Sequence, residues 1–130
     1  MLTGKVALVV DDEQHIVHVV ALKLRNAGLE VVTASDGEQA YESASKSPPD
    51  IVITDLQMPY MNGLELCRKL RENPGTSHIP ALMLTARGHA LSKEDLAGTN
   101  ISEVLTKPFS PREILARVEA LLGEGTAKAA

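Results

Sequence analysis

Five short runs of apolar, mostly β-branched residues recur along the chain: Val6 to Val10, Glu30 to Thr33, Ile51 to Thr54, Ala81 to Leu84 and Ile101 to Leu105. Between them, apolar residues return every three or four positions, the spacing that lines one face of a helix. Runs of the first kind alternating with stretches of the second predict βαβ units on a parallel sheet, five strands and five helices in all. The helix starts are marked by a hydroxyl, amide or carboxylate three residues before Glu or Gln, the spacing that satisfies the first free N–H groups. Asp11 precedes Gln14, Ser35 precedes Glu38, and Asn62 precedes Glu65. Ser110, Pro111 and Glu113 fill the first positions of a last helix whose Ile114, Leu115, Val118, Leu121 and Leu122 form an apolar stripe. Gly28 and Gly123 are expected to end the first and last helices, and Pro48-Pro49 punctuates the approach to the third strand. In the first helix Ile16, Val20 and Leu24 are expected to be buried, with Val17 exposed beside His15 and His18.

Length and composition narrow this further. The 130 residues make one domain, expected over 1–123, and the small and polar residues of 124–130 read as a flexible tail or the start of a linker. Hydrophobic residues make up 44% of the chain, enough for a core, but Tyr41, Tyr60 and Phe109 are its only aromatics. So few rings argue against a nucleic-acid stacking platform. A formal charge of -4 leaves no basic excess for phosphate backbones, so direct nucleic-acid binding by this chain is not expected. The lone Cys67 forms no internal disulfide and suits a reducing compartment. The run Val6 to Val10 stops at three acids and is too short for a leader or a membrane span. A soluble, cytoplasmic protein is expected.

The candidate chemistry stands at strand ends. Asp11, Asp12 and Glu13 follow the first run, and Asp55 follows the third. Ligands of open α/β sheets collect at the carboxyl ends of strands, where the strand order reverses. Were strands one and three neighbours, their ends would lie about 4.8 Å apart and bring the carboxylates together. Crowded negative charge is unfavourable without a proton or cation, and an oxygen-only ligand set points to a hard cation, Mg²⁺. Asp11 alone reads as well as a cap of the first helix, and Asp55 alone as a loop cap. Thr85 ends the fourth run and Lys107 follows the fifth, both on the acids' rim. A hydroxyl and an ammonium facing a metal-bound carboxylate are what a phosphoryl group on that carboxylate needs. Singly, each reads as an ordinary strand or surface residue; jointly the four strand ends favour a site.

The segments Val9-Val10-Asp11-Asp12-Glu13, Asp55-Leu56-Gln57-Met58-Pro59-Tyr60-Met61-Asn62-Gly63, Leu84-Thr85-Ala86 and Lys107-Pro108-Phe109 resemble, in order and separation, the receiver domain of two-component response regulators over residues 5–122. The resemblance implies a flavodoxin-like (βα)5 fold with strand order 2-1-3-4-5. It implies that Asp55 accepts a phosphoryl group, and that Asp12, Asp55 and the main-chain carbonyl of Gln57 bind Mg²⁺, with Asp11 acting mainly through water. Thr85 and Lys107 would hold the phosphoryl oxygens, and Lys107-Pro108 would be cis. The implied partners are a sensor histidine kinase or a histidine phosphotransfer protein, and either a downstream target or a missing output domain. The surface of the fourth helix, fifth strand and fifth helix would switch and could pair two copies. Such a domain is a phosphoacceptor promoting its own phosphorylation and dephosphorylation, rather than an enzyme acting on other substrates.

The chain departs from the family pattern in places. Val104 stands where a Tyr or Phe usually couples to the threonine, and a stiff, ringless side chain cannot do so in the same way. Asn100-Ile101-Ser102-Glu103 replaces the usual Gly-Ala-Asp-Asp, with Asn100 expected to take the left-handed turn of Gly. Glu113, Ala116 and Arg117 match receivers that dimerise, but Ser102 has lost the acid of a matching ion pair. Gln57 and Arg87 occupy positions that tune dephosphorylation. His15, His18, His78 and His89 show no metal spacing and are expected at the surface. Exposed apolar surface of the first helix is a candidate docking patch for the phosphodonor.

Three other functions fit parts of the pattern. A haloacid-dehalogenase-type phosphohydrolase needs a second acid two residues past Asp55, where Gln57 stands and cannot relay a proton. A mononucleotide binder would place phosphate against Asp11, Asp12 and Glu13, which repel it. A phosphorylation-independent interaction module is favoured only by Val104.

Overall fold

The structure, a computed structural model, describes residues 3–86 and 91–122. Strand β1 (Val6–Val10) leads to helix α1 (Gln14–Asn26), then β2 (Glu30–Ala34), α2 (Gly37–Lys46), β3 (Ile51–Asp55) and α3 (Gly63–Glu72). β4 (Ala81–Thr85), α4 (Lys93–Leu96), β5 (Ile101–Thr106) and α5 (Pro111–Leu121) complete it. The strands form one parallel sheet in the order β2-β1-β3-β4-β5, as the resemblance implies. Four of the five strands run one residue beyond the expected runs, to Ala34, Asp55, Thr85 and Thr106. Those residues still hold the ladder: Val10 pairs with Ala34, Asp55 with Leu84, and Thr85 with Thr106.

Alternation explains why β1, β3 and β4 are apolar at nearly every position. Ala7, Val9, Ile51, Ile53, Leu82 and Leu84 face α1 and α5 and pack with Val20, Leu24, Ile114 and Val118. Leu8, Val10, Val52, Ala81 and Met83 face the other way, against Ala40 and Ala44 of α2 and Leu66, Cys67 and Leu70 of α3. A sheet covered on both sides needs apolar side chains on both sides.

Helix α1 is rotated from its expected phase. Val17, Val20, Ala21 and Leu24 are its buried residues, Ile16 is only half-buried, and Val19 is 46% exposed. Val17, expected at the surface, is 5% exposed. The small Ala21 extends the buried stripe and shifts its centre toward Val17.

The caps also sort themselves. Asn62 with Glu65, and Ser110 with Glu113, form reciprocal capping boxes as expected. A third box, Ser92 with Asp95, opens α4. At α2 the cap is Asp36, whose side chain accepts from Gln39 N at 2.7 Å, while Ser35 N donates to Gln39 Oε1. The expected Ser35 cap is therefore off by one residue. α1 has Glu13 at its cap without a side-chain bond, and Asp11 instead accepts from Glu13 N at 2.9 Å. Ser110→Ala is expected to lower stability by about 1 kcal/mol, read as a lower urea midpoint at unchanged slope.

Before β5, Gly98 and not Asn100 takes the left-handed turn, at φ +75°. Asn100 is buried instead, its Nδ2 donating to Ile79 O and its backbone O accepting from Ala81 N. The β4–β5 register then slips: Ala81 pairs with Ile101 but Leu82 with Glu103, so Ser102 is the extra residue of a bulge. Glu103 pairs with Arg117 of α5 at 3.1 Å within the chain. His15, His18 and His78 are exposed as expected. The expectations for Arg87, His89, Gly123 and the tail 124–130 lie outside the described residues.

Candidate functional site

The order reversal between β1 and β3 sets their ends side by side, with Val10 opposite Thr54. One residue beyond each, Asp11 and Asp55 are placed at the same rim. Asp11 continues the β1–β2 ladder by donating its N–H to Ala34 O at 3.3 Å, which fixes it inward, at 3% exposure. Asp12 is exposed and Asp55 half-buried. Carboxylate oxygens of Asp11, Asp12 and Asp55 lie within 4.8 Å of one another. Charges from two strands that never touch in sequence thus meet in one pit.

The electrostatics record both burial and crowding. Burial raises Asp55 above its ordinary value; Lys107 pulls it back down, while Asp12 and Glu13 push it up. The ammonium of Lys107, at the end of the strand next but one, therefore acts on Asp55. Burial also pushes Asp11 from 3.8 up to about 6; its bond from Glu13 N–H opposes this, and Asp55 and Asp12 add to it. Between those values the folded protein keeps a proton that the unfolded chain releases, so stability falls as pH rises through that window. The metal-free protein is expected to melt lower at pH 7 than at pH 5, a loss that Asp11→Asn reduces. Mg²⁺ should raise the melting temperature more at pH 7 than at pH 5. A wild type with the same pH slope as Asp11→Asn would contradict this.

Thr85 is the last residue of β4 and is 1% exposed. Its carbonyl accepts from Lys107 N at 2.9 Å, which ties the β5 end to the β4 end. Lys107-Pro108 is cis. Gln57 is exposed in the loop after β3, two residues past Asp55. That loop is anchored by Leu56 N to Leu84 O at 2.9 Å and by Gly63 N to Leu56 O at 2.9 Å.

Gly63 carries a role that the sequence did not reveal. A Cβ on it would stand 2.5 Å from the Asp55 carbonyl oxygen and 2.9 Å from Met83 Sδ. The first turn of α3 is therefore packed directly on the backbone of Asp55. The signal available was a glycine immediately after the Asn62 cap, where no turn demands one. Glu13, beyond its place in the acidic triplet, also belongs to the field acting on Asp55.

A protein-family model described as "Response regulator receiver domain" matches residues 7–119. The alkaline phosphatase synthesis transcriptional regulatory protein PhoP of Bacillus subtilis is 42% identical over 119 residues, covering 92% of this chain and 49% of the relative. The chemotaxis response regulator CheY4 of Vibrio cholerae superposes with a TM-score of 0.83 at 34% identity, covering 92% of this chain and 99% of that one. The receiver domain of the sensor histidine kinase PA1611 of Pseudomonas aeruginosa PAO1, solved with a magnesium ion in its active site cleft, gives 0.82 at 26% identity. That match covers 93% of this chain and 99% of the other. The chain spans about half the length of the curated relatives it matches.

Proposed function

Since this chain belongs to the family of receiver domains of two-component response regulators, we propose that Asp55 is its phosphoacceptor, with Thr85 and Lys107 holding the phosphoryl oxygens. Receiver domains are signalling domains, and the proposed chemistry is a single group transfer onto the chain itself. What carries the proposal is the meeting of Asp11, Asp12 and Asp55 within 4.8 Å of one another. Their donor set is oxygen alone, and burial together with the neighbouring carboxylates raises Asp11 and Asp55, which suits a hard divalent cation. Asp12, Asp55 and the Gln57 carbonyl would hold Mg²⁺, with Asp11 engaged through water. When bound, the ion supplies positive charge that offsets repulsion between the carboxylate and an incoming phosphoryl group.

An Asp55 oxygen attacks the phosphorus of a phosphohistidine; a P–O bond forms as the P–N bond breaks, and the imidazole leaves. Lys107, whose charge already reaches Asp55, takes up the charge on the transferred oxygens. Hydrolysis of the acyl phosphate then returns the carboxylate, so the chain assists both its loading and its unloading. Gln57 leaves no second acid two residues past Asp55, which argues against a turnover phosphohydrolase.

The phosphodonor would be a sensor kinase or a histidine phosphotransfer protein. Its docking patch would be a groove of about 520 Å³ lined by Ile16, Val19, Phe109 and Pro111 and reaching Lys107. Val19 thus takes the place expected for Val17. The output would pass through α4, β5 and α5, to a target, a second copy or an output domain such as its transcriptional relatives carry. The Glu103–Arg117 pair within the chain occupies part of that face. No helix among the described residues is long and apolar enough to cross a membrane. The proposed location is the cytoplasm, in keeping with the free, buried thiol of Cys67.

Incubation with acetyl phosphate and Mg²⁺, followed by intact mass measurement, tests the proposal. One added phosphoryl group, lost when a chelator is present, is expected. No added mass, or uptake indifferent to the chelator, contradicts it.

A further inference from the structure

The hydroxyl of Thr85 is almost wholly removed from water, so it needs a partner inside the protein. It donates to Thr106 Oγ1 at 3.4 Å, across the β4–β5 ladder in which the two residues stand opposite each other. Hydroxyl bonds are usually near ~2.8 Å, so this one is weak. A bond to a charged phosphoryl oxygen is shorter and roughly twice as strong as a neutral one. Once residue 55 is phosphorylated, the Thr85 proton has two competing acceptors, and Thr106 is the weaker. Thr106 is exposed, so water replaces the lost partner at little cost. Val104, on the same strand, packs into the cluster of α2 and α3 and has neither a ring nor a polar atom to take part in the exchange.

We propose that Thr106 is a positioning residue for Thr85: its hydroxyl holds the Thr85 side chain in one orientation in the free protein and gives it up when a phosphoryl group arrives. Release of Thr106 at the exposed end of β5 then links the site to the signalling surface without the aromatic residue that position 104 lacks. The holding contact stands on the geometry alone; the release rests on Asp55 being the phosphoacceptor.

Thr106→Val keeps the β-branched shape and removes the hydroxyl, and Thr106→Ser keeps the hydroxyl. In the free protein, three-bond couplings to the Thr85 methyl group should report one rotamer in the wild type and in Thr106→Ser, and an average of rotamers in Thr106→Val. With acetyl phosphate and Mg²⁺, Thr106→Val should load about two- to threefold faster than wild type, the size expected for losing one weak competing bond. Thr106→Ser should match the wild type, and in a Thr85→Ala background the Thr106→Val effect should vanish. A Thr85 rotamer unchanged by Thr106→Val, or a rate gain that persists without the Thr85 hydroxyl, overturns the inference. If the couplings respond but the wild type takes up no phosphoryl group, the phosphoacceptor assignment fails, and with it the release step, while the holding contact stands.

Discussion

Asp55→Asn is expected to abolish phosphoryl uptake and, in the same molecule, to raise the melting temperature of the metal-free protein. The amide keeps the shape and the loop contacts but removes the proposed nucleophile. It also removes one charge from a pit in which burial, Asp12 and Glu13 disfavour ionised Asp55, while Lys107 and the N–H of Leu56 favour it. The gain should appear as a higher melting temperature in metal-free buffer at pH 7. The Mg²⁺ response of the melting temperature should shrink at the same time, because one of three carboxylates is gone. An Asp55→Asn protein that melts lower than wild type would mean that the carboxylate contributes more through its contacts than it costs through crowding.

Gly63→Ala should damage the site from the opposite side. Its Cβ would overlap the Asp55 carbonyl oxygen at 2.5 Å, and that oxygen is also held by Thr54 Oγ1 at 2.9 Å. Met83 crowds the other direction, with Sδ at 2.9 Å and Cε at 3.0 Å, but its flexible thioether end can shift more easily than the Asp55 backbone. Either α3 lifts from the sheet or residue 55 moves. Overpacking of this kind costs about 1–3 kcal/mol, and an acceptor displaced by ~1 Å would lose on the order of 100-fold in phosphorylation rate. Urea unfolding and the acetyl phosphate loading rate check both effects. Wild-type values for both would show that the α3 turn does not position Asp55.

These two residues mark what the sequence could and could not disclose. Asp55 was legible because strand ends on one rim follow from alternating strands and helices, and acids there need explaining. Gly63 was not, since its contact with a carbonyl eight positions earlier exists only after the loop closes. The doubly covered sheet was legible from the unbroken apolar runs of β1, β3 and β4. The phase of α1 was not: apolar residues at 16, 17, 19, 20, 21, 22 and 24 leave the buried arc open to a shift of one position. Ser35 and Asp36 both make good caps, so only the reciprocal bonds of Gln39 decide between them. The bulge at Ser102 left no mark, because a polar residue on an edge strand is equally at home paired or extra.

Reduction of the phosphorylated wild type with borohydride, which converts an aspartyl phosphate to homoserine, followed by peptide mapping, locates the acceptor directly. Homoserine at position 55, with Asp11 and Asp12 intact, is the expected result. Homoserine at 11 or 12, or a phosphoryl group retained on any other residue, would contradict the assignment of Asp55.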